Sequence, residues 1–178
     1  MTAQWLNPTP YAKACGVVFV RLLLFGKSWY NKRMKVENTF PPNYHLIITA
    51  IPAAVSDNTA IFAYGDTIYN PHNCEITPDR EVHEQVHQKQ QGNYIDEWYL
   101  KYLSNSEFRL SQEIEAYGEQ YKWICDNIDA HVAKGSKLPS ARLKRHALDS
   151  LSFSLSSASY GQIIGFGEAK SKIKNYSS

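Results

Sequence analysis

Cysteine is scarce in this chain. Cys15, Cys74 and Cys125 are the only three, an odd number with no C-x-x-C spacing. That argues against a disulfide framework and fits a reducing cytoplasm. An excess of charge of one sign is also lacking. The net charge is +2 and the pI about 8.3, too mild to point to nucleic acid as a partner. There is no apolar run long enough to span a bilayer: the most apolar stretch, residues 15–26, is short and interrupted by Arg21. The start lacks the basic segment and small-residue cleavage site of a signal peptide. A phosphate-binding glycine loop, an internal repeat and a nucleophile–His–Asp constellation are all missing.

What remains is an ordinary globular composition, 43% hydrophobic and 20% charged, over 178 residues. That length supports one domain with a proper core. Residues 1–40 read as an N-terminal extension and residues 41–178 as the domain. Within the extension, residues 14–26 are simplest as a buried helix or strand, with docking on another protein or a membrane as the sharper alternative. Lys32-Arg33-Met34-Lys35 leads through Pro41-Pro42 as a linker into the first strand.

The most specific feature is His83-Glu84-Gln85-Val86-His87, an H-E-x-x-H motif. Two histidines four apart on a helix project from one face, where both imidazoles can reach one Zn²⁺. Glu84 can act on a metal-bound water without being a ligand itself. The helix is signposted from about residue 78 to 91. Thr77 suits the N-cap and Pro78 the first turn, Asp79 and Glu81 favour the start of the macrodipole, and Gly92-Asn93 ends it. Val82 and Val86 would pack inward beside the histidines.

A catalytic zinc site needs three protein ligands and an open position. A helical segment from about residue 107 to 128 offers the third. Leu110, Ile114, Tyr117, Tyr121 and Ile124 form its apolar stripe, and Glu113 lies beside that stripe. Glu115 points roughly 200° away around the axis, so only one of the two binds metal, and Glu113 is preferred. Arg109, one turn earlier, is expected to hold the Glu113 carboxylate.

With these residues in view, the chain resembles the gluzincin metallopeptidases. The matching residues are His83, Glu84, His87 and Glu113-Ile114-Glu115-Ala116. The longer string also includes Trp98-Tyr99, Tyr102, Phe108-Arg109 and Tyr117. It is similar to small metallopeptidases encoded by tailed bacteriophages. The resemblance implies His83, His87 and Glu113 as zinc ligands, Glu84 as general base, and a bacterial host cytoplasm or the virion as the location. It has departures. The stretch from His87 to Glu113 is longer than in thermolysin-like enzymes, no N-E-x-x-S-D string occurs, and Tyr117 stands where several E-x-x-A families have Asp. Tyr117 could instead donate a hydrogen bond to a substrate oxyanion, with Tyr94 as a second candidate. Trp98 and Tyr102, four apart, most simply pack on the motif helix.

Upstream, residues 45–51, 59–64 and 67–69 read as strands, with Gly65-Asp66 as a hairpin turn. Residues 59–69 are the candidate edge for an extended peptide substrate. His72 and Cys74 could approach the metal, although a polar loop is the simpler reading. Downstream, residues 140–151 read as a helix, the serine-rich residues 150–159 as a loop or a capped break, and residues 168–174 as a final short helix. The basic cluster Lys137, Arg142, Lys144, Arg145 reads as a solvated helix face.

The expectation is an α+β, zincin-like domain that hydrolyses peptide or protein substrates with zinc. The alternative is a virion structural or assembly protein that keeps the fold and contacts other virion proteins. A peptidoglycan peptide hydrolase is a nearby enzymatic variant. Retention of Glu84 favours catalysis, because a purely structural zinc does not need it.

Overall fold

The computed structural model of the protein describes residues 33–133 and 139–177. The apolar run at 15–26, Cys15 and Lys137 lie outside the described residues. Among the described residues the fold is α+β, with seven α-helices and one three-stranded sheet.

The sheet is small. β1 (Lys35–Glu37) pairs parallel with β3 (Thr67–Tyr69), and β3 pairs antiparallel with β2 (Phe62–Tyr64), giving the order β1-β3-β2. β1 is thus a full member of the sheet, although it falls in the segment read as an extension. The β2–β3 hairpin turns at Gly65-Asp66, as expected. Gly65 has φ +59°, which favours glycine, and a Cβ there would also crowd the end of the Ile95 side chain at 3.1 Å. The expected strand at 59–64 is shortened at its start. Asp57 accepts hydrogen bonds from the Thr59 backbone N–H at 2.8 Å and its hydroxyl at 2.6 Å, and this turn withdraws the segment from the sheet.

One expected strand is a helix. Residues 45–51 fall largely in α1 (Tyr44–Ala50), followed by the short α2 (Pro52–Ser56). Ile47 and Ile51, four apart, are buried against Trp98 and Tyr99, while Ile48 is exposed. The β-branched run therefore has a helical period, and burial of one face overrides strand propensity.

The remaining helices surround the motif. α3 (Pro78–Gln91) carries it, α4 (Ile95–Ser104) carries the aromatic residues, and α5 (Ser106–Ala133) carries Glu113. Thr77 is the N-cap of α3 by position but makes no side-chain capping bond. Asn105 caps α5, its side-chain oxygen accepting the Phe108 N–H at 2.9 Å. α6 (Ser140–Leu155) and α7 (Phe166–Tyr176) pack on α5. Tyr117, Ile124, Leu148, Leu151, Leu155, Ile164, Ala169 and Ile173 form the core there.

The serine-rich segment was expected to break the chain, yet α6 runs through Leu155. Ser152 is wholly buried, and its hydroxyl donates to the Leu148 carbonyl at 2.6 Å, so its polarity is absorbed by the helix. Only the end of the stretch leaves the helix, in a 3-10 turn at Ala158–Tyr160. Among the described residues no helix is long and apolar enough to cross a membrane.

Candidate metal centre

α3 turns His83 and His87 toward α5, which presents Glu113 from the facing helix. Two imidazole nitrogens and the two oxygens of one carboxylate converge. His83 Nε2 and His87 Nε2 lie 3.1 Å apart. His83 Nε2 is 3.4 Å from Glu113 Oε2, and His87 Nε2 is 3.3 Å from Glu113 Oε1. Among the described residues, these three form the one cluster of metal-ligating side chains. Glu113 is 1% exposed, His83 5% and His87 7%.

The spacing fits a small divalent ion. Nitrogen and oxygen atoms bonded at about 2.0–2.2 Å to a tetrahedral centre stand about 3.3–3.6 Å apart. The observed pairwise separations fall at that value or just inside it, each histidine facing a different Glu113 oxygen, and one atom from each residue lies within 4.8 Å of the others. Glu113 Oε2 is buried and has no hydrogen-bond partner, an orphan acceptor turned toward His83. The residues present therefore fit a metal ion.

The electrostatics describe what holds the cluster without one. Burial works against a charged His87, but the Glu113 carboxylate beside it prevails and raises the imidazole pKa to about 9. Burial alone would raise Glu113, but His87 and His83 hold it well below the usual carboxylate range. Glu84 is also buried. Burial pushes its pKa up, against the pull of His83, His87 and Arg80. A carboxyl group with a raised pKa next to a metal cluster is suited to taking up a proton.

Of the two candidate glutamates, Glu113 is the one that joins the histidines. Glu115 faces elsewhere and accepts the Gln90 Nε2–H at 3.0 Å. The expected role of Arg109 is corrected. Its guanidinium donates to the carbonyls of Tyr102 at 2.7 Å, Leu103 at 3.3 Å and Tyr160 at 3.3 Å, and not to Glu113. The last carbonyls of α4 have no partner within their own helix, and they draw the cation. The Glu113 carboxylate is held instead by Tyr102, whose hydroxyl donates to Oε1 at 2.6 Å.

Tyr117 stands at the site. Its ring meets the His83 ring edge-on at 4.5 Å, and its hydroxyl donates to the Tyr160 hydroxyl at 2.9 Å. Tyr94 is 70% exposed at the start of α4. His72 packs edge-on to Phe40, and the Cys74 thiol lies with Asn70, so neither joins the cluster. Trp98 and Tyr102 do pack on the motif helix, with ring centroids 5.7 Å and 6.4 Å from His87.

The proposed substrate edge is partly spent. The Ala63 carbonyl on β2 already accepts hydrogen bonds from Gln91 Nε2 at 2.8 Å and the Tyr99 hydroxyl at 2.6 Å. Both lone pairs are in use, so an added strand would have to do without this acceptor.

Sequence reasoning missed Gln90, Gln120, Tyr102 as a partner of Glu113, and Tyr160. Helical spacing carried a signal for the first two: Gln90 is three residues past His87, and Gln120 is two turns past Glu113. For Tyr160, which arrives from a distant turn, there was none. No family model, no curated protein and no solved structure matches this chain.

Proposed function

We propose that the protein is a zinc-dependent peptide hydrolase with a zincin-like architecture. The observation that carries this reading is the convergence of His83, His87 and Glu113 ligand atoms within 4.8 Å of one another, with the buried Glu84 carboxyl next to His83 in the same helical turn. Bound zinc supplies Lewis-acid charge, which acidifies water and polarises a carbonyl. The protein residues do the rest. Glu84 takes the proton from the attacking water and returns it to the leaving amine. Tyr117, with its hydroxyl proton retained by burial and its ring against His83, would donate to the developing oxyanion once its bond to Tyr160 is released. The phage setting rests on the sequence resemblance, and peptidoglycan peptides are the substrate to try beside casein.

A second reading has one observation in its favour. His83, Glu84, His87 and Glu113 are all buried, and structural zinc sites are closed whereas catalytic ones keep an open position. In that reading the domain is a structural or assembly component of a virion. Zinc content and peptide cleavage, measured side by side for wild type and Glu84→Gln, decide between them. The expected result is one zinc per chain in both and cleavage only in the wild type. Zinc in both with cleavage in neither supports the structural reading. A wild type without zinc removes the metal centre altogether.

A further inference from the structure

Each histidine of the cluster uses its second ring nitrogen on a glutamine. His83 Nδ1 lies 3.1 Å from Gln120 Oε1, and His87 Nδ1 lies 2.8 Å from Gln90 Oε1. The amides are themselves pinned from behind. Gln120 Nε2 donates to Asp79 Oδ2 at 2.7 Å. Gln90 Nε2 donates to the Gln112 backbone carbonyl and to Glu115 Oε2, both at 3.0 Å. Carboxylate and carbonyl oxygens only accept, so the NH₂ end of each amide must face them. Turning either amide over would set oxygen against oxygen behind it. The oxygen end therefore faces each imidazole, and each Nδ1 must carry the proton.

We infer that Gln120 and Gln90 are positioning residues that fix both histidines in the Nδ1–H form and keep both Nε2 lone pairs turned on the metal position. The inference rests on the proposed metal centre. It explains why Asp79 is buried in the first turn of α3, with one oxygen on Gln120 and the other unpartnered. It also gives Glu115 a role outside the ligand set. Neutral amides stand where a carboxylate would otherwise add charge, so Asp79 and Glu115 act on the histidines one hydrogen bond removed.

The test is zinc affinity of the purified full chain, by competition with a chromophoric chelator near neutral pH. Gln120→Met keeps the shape and removes the acceptor, and weakens zinc binding by about tenfold to a hundredfold. The double variant Asp79→Asn with Gln120→Glu reverses the rear hydrogen bond and restores an acceptor to His83. It recovers most of the lost affinity. In the zinc-loaded protein the His83 Nδ1–H proton resonance, slow to exchange in wild type, disappears in Gln120→Met and returns in the double variant.

A packing role predicts the reverse order, with methionine tolerated and the charge swap harmful. Wild-type affinity in Gln120→Met, or a folded double variant that does not recover, overturns the inference. Should the double variant not fold, the other arm decides. Gln90→Met must weaken zinc binding as Gln120→Met does, while Glu115→Gln, which can still present an oxygen to Gln90, must retain it. Any other order overturns the inference. Failure of the wild type to bind zinc overturns the metal centre, and the inference falls with it.

Discussion

At the residue scale the centre is a set of acceptors forced together. Glu113 is nearly inaccessible, yet it has Tyr102 on one oxygen and nothing but histidine beside the other. Tyr102→Phe should therefore retain the fold and lower zinc affinity by about tenfold or more, the size seen when a ligand loses its outer partner; chelator competition reads it. His83→Ala and His87→Ala should each lower zinc content below one per chain, and full occupancy in both would refute the ligand assignment. The metal-free protein has its own pH signature. The raised His87 pKa means that its pairing with Glu113 stabilises fully below about 6.5, the ordinary imidazole value, and is lost as pH climbs through about 9. The lowered Glu113 pKa places the acid limit of the same pairing below the ordinary carboxylate range. Metal-free melting temperature should fall on passing from pH 6 to 10 and recover with zinc, which replaces the proton. Zinc affinity should rise about tenfold per pH unit up to about pH 9, where one proton leaves for each ion bound, and level off above it.

At the scale of elements, what could be read in the sequence followed the helices. The motif helix was legible to its ends because Pro78 and Gly92 punctuate it, and the Glu113 helix because its apolar stripe repeats over several turns. Ile47-Ile48-Thr49 misled because β-branched residues report strand propensity, while burial against Trp98 and Tyr99 was invisible. The serines of α6 misled because a hydroxyl that donates back to its own helix, as Ser152 does, leaves no trace in composition. One contact between elements gives a sharp test. A Cβ at Gly118 on α5 would lie 2.1 Å from the Tyr176 ring of α7. Gly118→Ala should destabilise by roughly 1–3 kcal/mol through overpacking, against up to about 1 kcal/mol of gained helix propensity. In a Tyr176→Ala background the same substitution should become neutral or stabilising. Denaturant unfolding of the four proteins measures the sign change.

For the whole molecule, the proposed centre would link metal to fold. An ion bound by the folded chain alone stabilises it by about 2.7 kcal/mol at a hundredfold excess over Kd. For a domain of this size that raises Tm by roughly 5–10 °C. Chelator should remove that increment, and a Tm indifferent to both zinc and chelator would place the ion outside the folded structure. The candidate site was legible because its ligands sit on two regular helices. Its surroundings were not, because Tyr160 and the Arg109 contacts depend on how distant segments pack.

Chain order adds a consequence for assembly. His83, His87 and Glu113 come from α3 and α5, joined only by α4, so the ligand set is complete well before α6 and the Tyr160 turn are synthesised. All three therefore lie within one contiguous stretch of the chain, N-terminal to the C-terminal helices. If the proposed centre takes up an ion during synthesis, it can do so before the Tyr160 turn, which contacts Tyr117 in the folded protein, has been made. A protein loaded in this order would hold its metal by slow exit more than by strong attraction, and zinc added after folding would enter more slowly than zinc present during it.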